Sequence, residues 1–108
     1  MKLVIDRLTA YAEAGADVLY APGISTPEEI STVVKAVAPR PVNLLVGAAG
    51  PSLKIAGDLG VRRISVGGGL ARTAWTGFMK TSKEMAEQGT FSELASGYPG
   101  GELNKMFS

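Results

Sequence analysis

The chain contains neither cysteine nor histidine. Without cysteine there are no disulfides, no zinc–thiolate centres and no thiol nucleophile, which fits a cytoplasmic protein. Without histidine the commonest general base and the commonest transition-metal ligand are both missing. Long apolar runs are missing too. Nothing approaches the ~20 residues of a membrane span, and Lys2, Asp6 and Arg7 occupy the place where a signal peptide is apolar. The expectation is a soluble, unprocessed protein with no membrane partner. Neither sign of charge is in excess. Eleven Lys and Arg against ten Asp and Glu leave a net +1, and Arg62-Arg63 is the only adjacent basic pair. No overall field therefore favours nucleic acid as a partner.

What is present is a repeat of strand-like and helix-like segments, in a length of 108 residues that suits one domain. "AGADVLYAPG" (14–23), "RPVNLLVGAAG" (40–50) and "GVRRISVGGG" (60–69) each pass from a short β-rich run into small, glycine-containing residues. A helical pattern follows each of them. For the first, Thr26 is the N-cap, Pro27 the first helical residue and Glu29 the capping-box partner. Ile30, Val33, Val34 and Val37 give that helix an apolar face, and "APRP" ends it. A shorter helix runs from Pro51 to about Leu59, with Leu53, Ala56 and Leu59 on one side and Gly60 as a left-handed cap. Before the first strand, residues 2–14 form a helix striped by Val4, Leu8 and Tyr11 and ended by Gly15.

This alternation specifies an α/β fold with a parallel sheet and crossover helices. Val18-Leu19-Tyr20 and Leu44-Leu45-Val46 are near-continuous apolar runs, as in strands covered on both faces. Right-handed crossovers that add in one direction put every helix on the same face. The other face is covered only if the sheet curls into a barrel, and a whole (β/α)8 barrel takes about 200 residues or more. Three strands make part of one, with an apolar lumen face and two open edges. The expected association is self-association through that face and through the long helix that follows.

That helix spans 70–88, with Ala71, Ala74, Trp75, Phe78 and Met85 on one face and Lys80, Lys83, Glu84 and Glu87 elsewhere. Lys80 and Glu84 are spaced for an i,i+4 pair. Trp75 and Phe78 pack on the chain's own strands or on a neighbouring subunit. Thr90 reads as the cap of a short turn through Leu94, "SGYPGG" as a loop and "ELNKMF" as a last helical turn. The organisation is one partial-barrel domain over 1–108, with βα repeats over 1–69 and the long helix and tail over 70–108.

"YAEAGADVLYAPGISTPEEI", "PVNLLV" and "LGVRRISVGGGLARTAWTGF", in this order, resemble the last three βα units of the isocitrate lyase and phosphoenolpyruvate mutase superfamily. The resemblance covers nearly the whole chain. It implies the C-terminal portion of a (β/α)8 TIM-type barrel, from a Mg2+-dependent lyase or mutase. Such an enzyme acts on small 2-oxo or 2-hydroxy carboxylates, breaking or rearranging C–C or C–P bonds through a pyruvate enolate. A homo-oligomer in which helix 70–88 crosses to a partner subunit is also implied.

The family's metal-binding carboxylates and catalytic loop belong to earlier strands, and no segment here corresponds to them. Mg2+ is the cofactor expected from the resemblance, yet the chain offers no ligands for it. Asp17 starts a strand, at the end of a barrel remote from catalysis, and Glu28 and Glu29 occupy a helix's first turn, where the macrodipole favours them. No residue is assigned as catalytic, and the isolated chain is expected to be inactive. Pro22 stands where the methylisocitrate-cleaving branch has a glutamate, and Ala21 where the phosphonate branch has a histidine. Both argue against those specificities.

Five residues are candidates for binding a small carboxylate substrate. Asn43 is polar within an apolar strand. By resemblance it faces the barrel interior near the substrate carboxylate; structurally, its amide satisfies a neighbouring strand-end carbonyl. Gly47, Gly67 and Gly68 lie at strand C-terminal ends, where barrel enzymes place their sites. Their backbone N–H groups suit a phosphate or carboxylate, or else they make tight turns without a ligand. Arg72 matches an arginine of the family's final helix and is either an anion ligand or part of an intersubunit or loop salt bridge. Besides the enzyme reading, two others stand: a non-enzymatic half-barrel that binds a phosphorylated or carboxylated metabolite, and an oligomerisation module.

Overall fold

A computed structural model describes all 108 residues. The chain divides into two compact units, Met1–Gly67 and Gly68–Ser108. The first contains α1 (Lys2–Glu13), β1 (Leu19–Tyr20), α2 (Pro27–Ala36), β2 (Val42–Leu45), α3 (Leu53–Asp58) and β3 (Arg63–Ser65). The three strands are parallel and lie in chain order, β1-β2-β3. This is the α/β arrangement expected of part of a TIM-type barrel.

Local chemistry sets the element boundaries. Thr26 Oγ1 accepts from the Glu29 backbone N–H at 3.2 Å, and Glu29 Oε2 accepts from the N–H groups of Thr26 and Ser25 at 3.1 and 3.0 Å. The capping box is complete, and the Ser25 and Thr26 N–H groups hold the Glu29 carboxyl below its ordinary pKa. Ser52 caps α3 by accepting from the Ile55 N–H, so that helix starts at Leu53 rather than Pro51. Gly60 follows it at φ +93°, and a Cβ there would come within 2.7 Å of Val34 Cγ1. Both facts require glycine at this position.

The core lies between the three helices and one face of the sheet. Leu19, Val42 and Leu44 from the strands meet Leu8 of α1, Ile30 and Val33 of α2 and Ala56 of α3, all 2 % exposed or less. Ile64 packs against this cluster. The apolar face expected of α2 is the one buried. Two other stripes differ from expectation. Tyr11 and Leu53 are 54 % and 77 % exposed, because after Leu8 the chain meets the core through Ala12 of α1 and Ala16 just beyond it, and α3 is so short that Ala56 is its one buried residue. The strands are also shorter than their apolar runs. Val18 lies outside β1, Val46 lies outside β2, and Tyr20 and Leu45 are exposed. Covering on both faces does not occur within this unit, since all three helices lie on one.

The second unit contains α4 (Gly69–Gln88), a 3-10 turn at Ser92–Ser96 and α5 (Gly100–Met106). Trp75 and Phe78 meet edge to face, with ring centroids 5.0 Å apart, and remain more than half exposed. The only buried residue of α4 is Glu84, which corrects its placement on a polar face. Its carboxylate accepts from the hydroxyls of Thr90 and Ser92 and from the backbone N–H groups of Ser92 and Glu93. Lys80 therefore pairs with Glu93 at 2.7 Å, not with Glu84. Thr90 does not cap the turn: its hydroxyl donates to Glu84, and the turn has no side-chain cap. The hydroxyls of Ser92 and Thr90, followed by the Glu93 N–H, pull the Glu84 pKa from 4.5 to about 2 against the opposing effect of burial. α5 begins at Gly100, so two glycines of the expected loop are helical.

Candidate functional site

In a parallel ladder, residues in register point to the same side. The pairings Leu19–Val42, Tyr20–Asn43, Asn43–Arg63, Leu44–Ile64 and Leu45–Ser65 put Leu19, Val42, Leu44 and Ile64 on the helix side. Tyr20, Asn43, Leu45, Arg63 and Ser65 share the other side, which no helix of this unit covers. This is the lumen face of a partial barrel. It is not simply apolar as expected, because Asn43, Arg63 and Ser65 make a polar band across β2 and β3.

Asn43 is 2 % exposed even on this open face. Its Oδ1 accepts from Arg63 Nη1 at 3.2 Å and its Nδ2 donates to Ser65 Oγ at 3.0 Å. The amide is thus held by two neighbouring side chains rather than by a strand-end carbonyl. Each of its polar atoms keeps one hydrogen-bonding position unused. Arg63 is in none of the five ion pairs of the chain. Neither Arg63 nor Ser65 was singled out from the sequence, although the alternation Arg63-Ile64-Ser65 carries the signal: with Ile64 turned to the core, its neighbours must face the lumen.

At the C-terminal ends of the strands the face changes from side chains to backbone. Gly47 follows β2, and a Cβ there would meet nothing within 4 Å. Gly67 follows β3 at φ +53°, with its Cβ position 3.5 Å from Leu45 Cδ1. Pro22 is exposed beyond β1, while Ala21 is buried at 8 %. The three strand ends therefore present Pro22, Gly47 and Gly67, none of which can transfer a proton or act as a nucleophile. Asn43, Gly47 and Gly67 are brought to one sheet. Gly68 and Arg72 belong to the second unit, where Gly68 precedes α4 and its carbonyl accepts from the Arg72 N–H at 2.9 Å. Arg72 is exposed and in none of the five ion pairs.

No three Asp or Glu side chains come together in a way that could hold a metal ion. Divalent magnesium needs oxygen ligands converging on one point, so the residues present do not fit it. No helix is long and apolar enough to cross a membrane.

Comparison with known proteins agrees with this geometry. Sequence comparison with curated proteins returns no match. Among solved structures, a protein of Burkholderia cenocepacia J2315 classed as a lyase/mutase is 46% identical, with a TM-score of 0.84 over 98% of this chain and 39% of its own. Oxaloacetate acetylhydrolase, solved with the inhibitor 3,3-difluorooxalacetate, is 26% identical, with a TM-score of 0.77 over 94% of this chain and 34% of its own. A 2,3-dimethylmalate lyase, a PEP mutase/isocitrate lyase superfamily member, is 25% identical, with a TM-score of 0.75 over 84% and 34%. The chain thus spans little more than a third of the length of these proteins. The family model for phosphoenolpyruvate phosphomutase matches residues 1–86. With that match over most of its length and a structure 46% identical over 98% of it, the chain belongs to the phosphoenolpyruvate phosphomutase family of the PEP mutase/isocitrate lyase superfamily.

Proposed function

We propose that this chain is the substrate-cradling portion of a lyase or mutase for small 2-oxo or 2-hydroxy carboxylates, and that turnover requires further strands carrying the catalytic carboxylates. One observation carries the reading. The rim formed by Pro22, Gly47 and Gly67 has open backbone and no group able to move a proton at neutral pH. Such a rim suits recognition of an anion and performs no chemistry on it. Similar structures named for oxaloacetate and 2,3-dimethylmalate, one a 2-oxo and one a 2-hydroxy dicarboxylate, support the substrate class.

In this reading the chain binds and orients. Backbone N–H groups at Gly47 and Gly67 receive a carboxylate, and Asn43, lower on the same face, ties β2 to β3 beneath them through Arg63 and Ser65. The family's Mg2+ finds no ligand set in these residues, so no step of the reaction runs through it here. Assembly as a homo-oligomer through α4 is supported by Trp75, Phe78 and Met79, each more than half exposed on that helix.

The test is turnover of oxaloacetate and of 2,3-dimethylmalate by the purified chain, alone and with the part of the Burkholderia relative that this chain does not cover. Product is expected only from the combination. Robust turnover by the chain alone would overturn the division of labour, and none from a well-formed complex would overturn the enzyme assignment.

A further inference from the structure

Arg63 is a permanent charge in the wrong place for a substrate ligand. It opens β3 and lies in the row of Tyr20 and Asn43, four residues before Gly67. At about 3.3 Å per residue it is roughly 13 Å below the rim, within the layers of side chains that fill a closed barrel. In this chain it is exposed, so water solvates the guanidinium. Closure of the barrel removes that water, and a buried charge is tolerated only when paired and hydrogen-bonded. Half of this arrangement is already built: Asn43 Oδ1 takes one Arg63 N–H, and Ser65 fixes the Asn43 amide from the other end. The counter-charge is missing: Arg63 is in none of the five ion pairs.

We propose that Arg63 docks the strands that complete the barrel, by pairing in the lumen with an inward-facing carboxylate of that polypeptide. The inference rests on the partial-barrel reading above and names the partner's chemistry. A second copy of this chain does not satisfy it. The lumen-face residues Tyr20, Asn43, Leu45, Arg63 and Ser65 include no carboxylate, so two copies face to face would oppose Arg63 to Arg63. A small carboxylate seated at the rim does not reach it. Polypeptide is the favoured occupant, since the similar Burkholderia protein has most of its length outside the 39% covered by this chain.

The experiment co-expresses the 108-residue chain with the uncovered part of the Burkholderia protein and measures the dissociation constant of the complex. Wild type is expected to bind one to one. Arg63→Glu and Arg63→Met should weaken binding on the order of a hundredfold, as for loss of one partner of a buried charge pair. Arg62→Glu, outside the row, should leave it unchanged. Both Arg63 variants lose the hydrogen bond to Asn43 Oδ1, so each should melt slightly below wild type; binding measured well below those melting temperatures, on folded chain, separates lost docking from lost folding. If Arg63→Glu does not fold, Arg63→Met, neutral and of similar length, gives the same reading. Equal binding by the variants would overturn the ion pair and leave the partial-barrel reading standing. No complex with wild type, or assembly only into homodimers indifferent to Arg63, would overturn both.

Discussion

Asn43 shows how one polar residue in an apolar strand is made tolerable. Both ends of its amide are engaged, by Arg63 and by Ser65, and removing it leaves those partners to solvent or to each other. Asn43→Ala should lower stability by about 1–2 kcal/mol, read as a shift in urea midpoint at unchanged slope. An unchanged midpoint would mean the network adds nothing to the fold. Gly60 and Gly57 make a second comparison. Gly60→Ala meets both a positive φ and the Val34 side chain, and should cost about 1–3 kcal/mol. Gly57, helical and with open space around its Cβ position, should accept alanine with a gain of up to about 1 kcal/mol. Asn43 was legible as an oddity in its strand. Arg63 and Ser65 were not recognised, because a three-residue strand is too short for its alternation to stand out without a register.

Among the elements, α2 was the most legible. Its cap, first-turn proline, apolar face and end are all local signals, and the structure uses each of them. Thr26→Ala should cost about 1 kcal/mol, measured by thermal or urea unfolding; no change would show the capping box idle. The end of α4 was the least legible. Glu84 looks solvated by helical spacing, but the chain returns after Gly89 and lays Thr90, Ser92 and Glu93 over it, a tertiary event that periodicity does not encode. Its carboxylate is stabilised in the folded chain, so the turn's stability is full above pH 4.5 and is lost as the pH falls from there through about 2. A carbon-13 titration of the Glu84 carboxyl should show a midpoint near 2, with the Ser92 and Glu93 amide shifts following it. A midpoint near 4.5 would contradict the hydrogen-bond cage.

At the scale of the whole molecule, the parallel sheet with helices on one face follows from three βα repeats and the handedness of crossovers. The polar band on the other face does not, since it depends on strand register. The rim supplies open backbone and no proton-transfer group, and the carboxylates do not gather. In the function proposed above, the reacting groups come from outside these 108 residues. The most direct test is a thermal-shift titration with oxalate, a mimic of the pyruvate enolate, with and without Mg2+. Ligand at about 100 times its Kd adds about 2.7 kcal/mol to a folded protein that binds it, which is readily seen. Any stabilisation by oxalate should be the same with and without Mg2+. A shift that appears only when both are present would place a metal-enolate site within this chain and contradict the assignment.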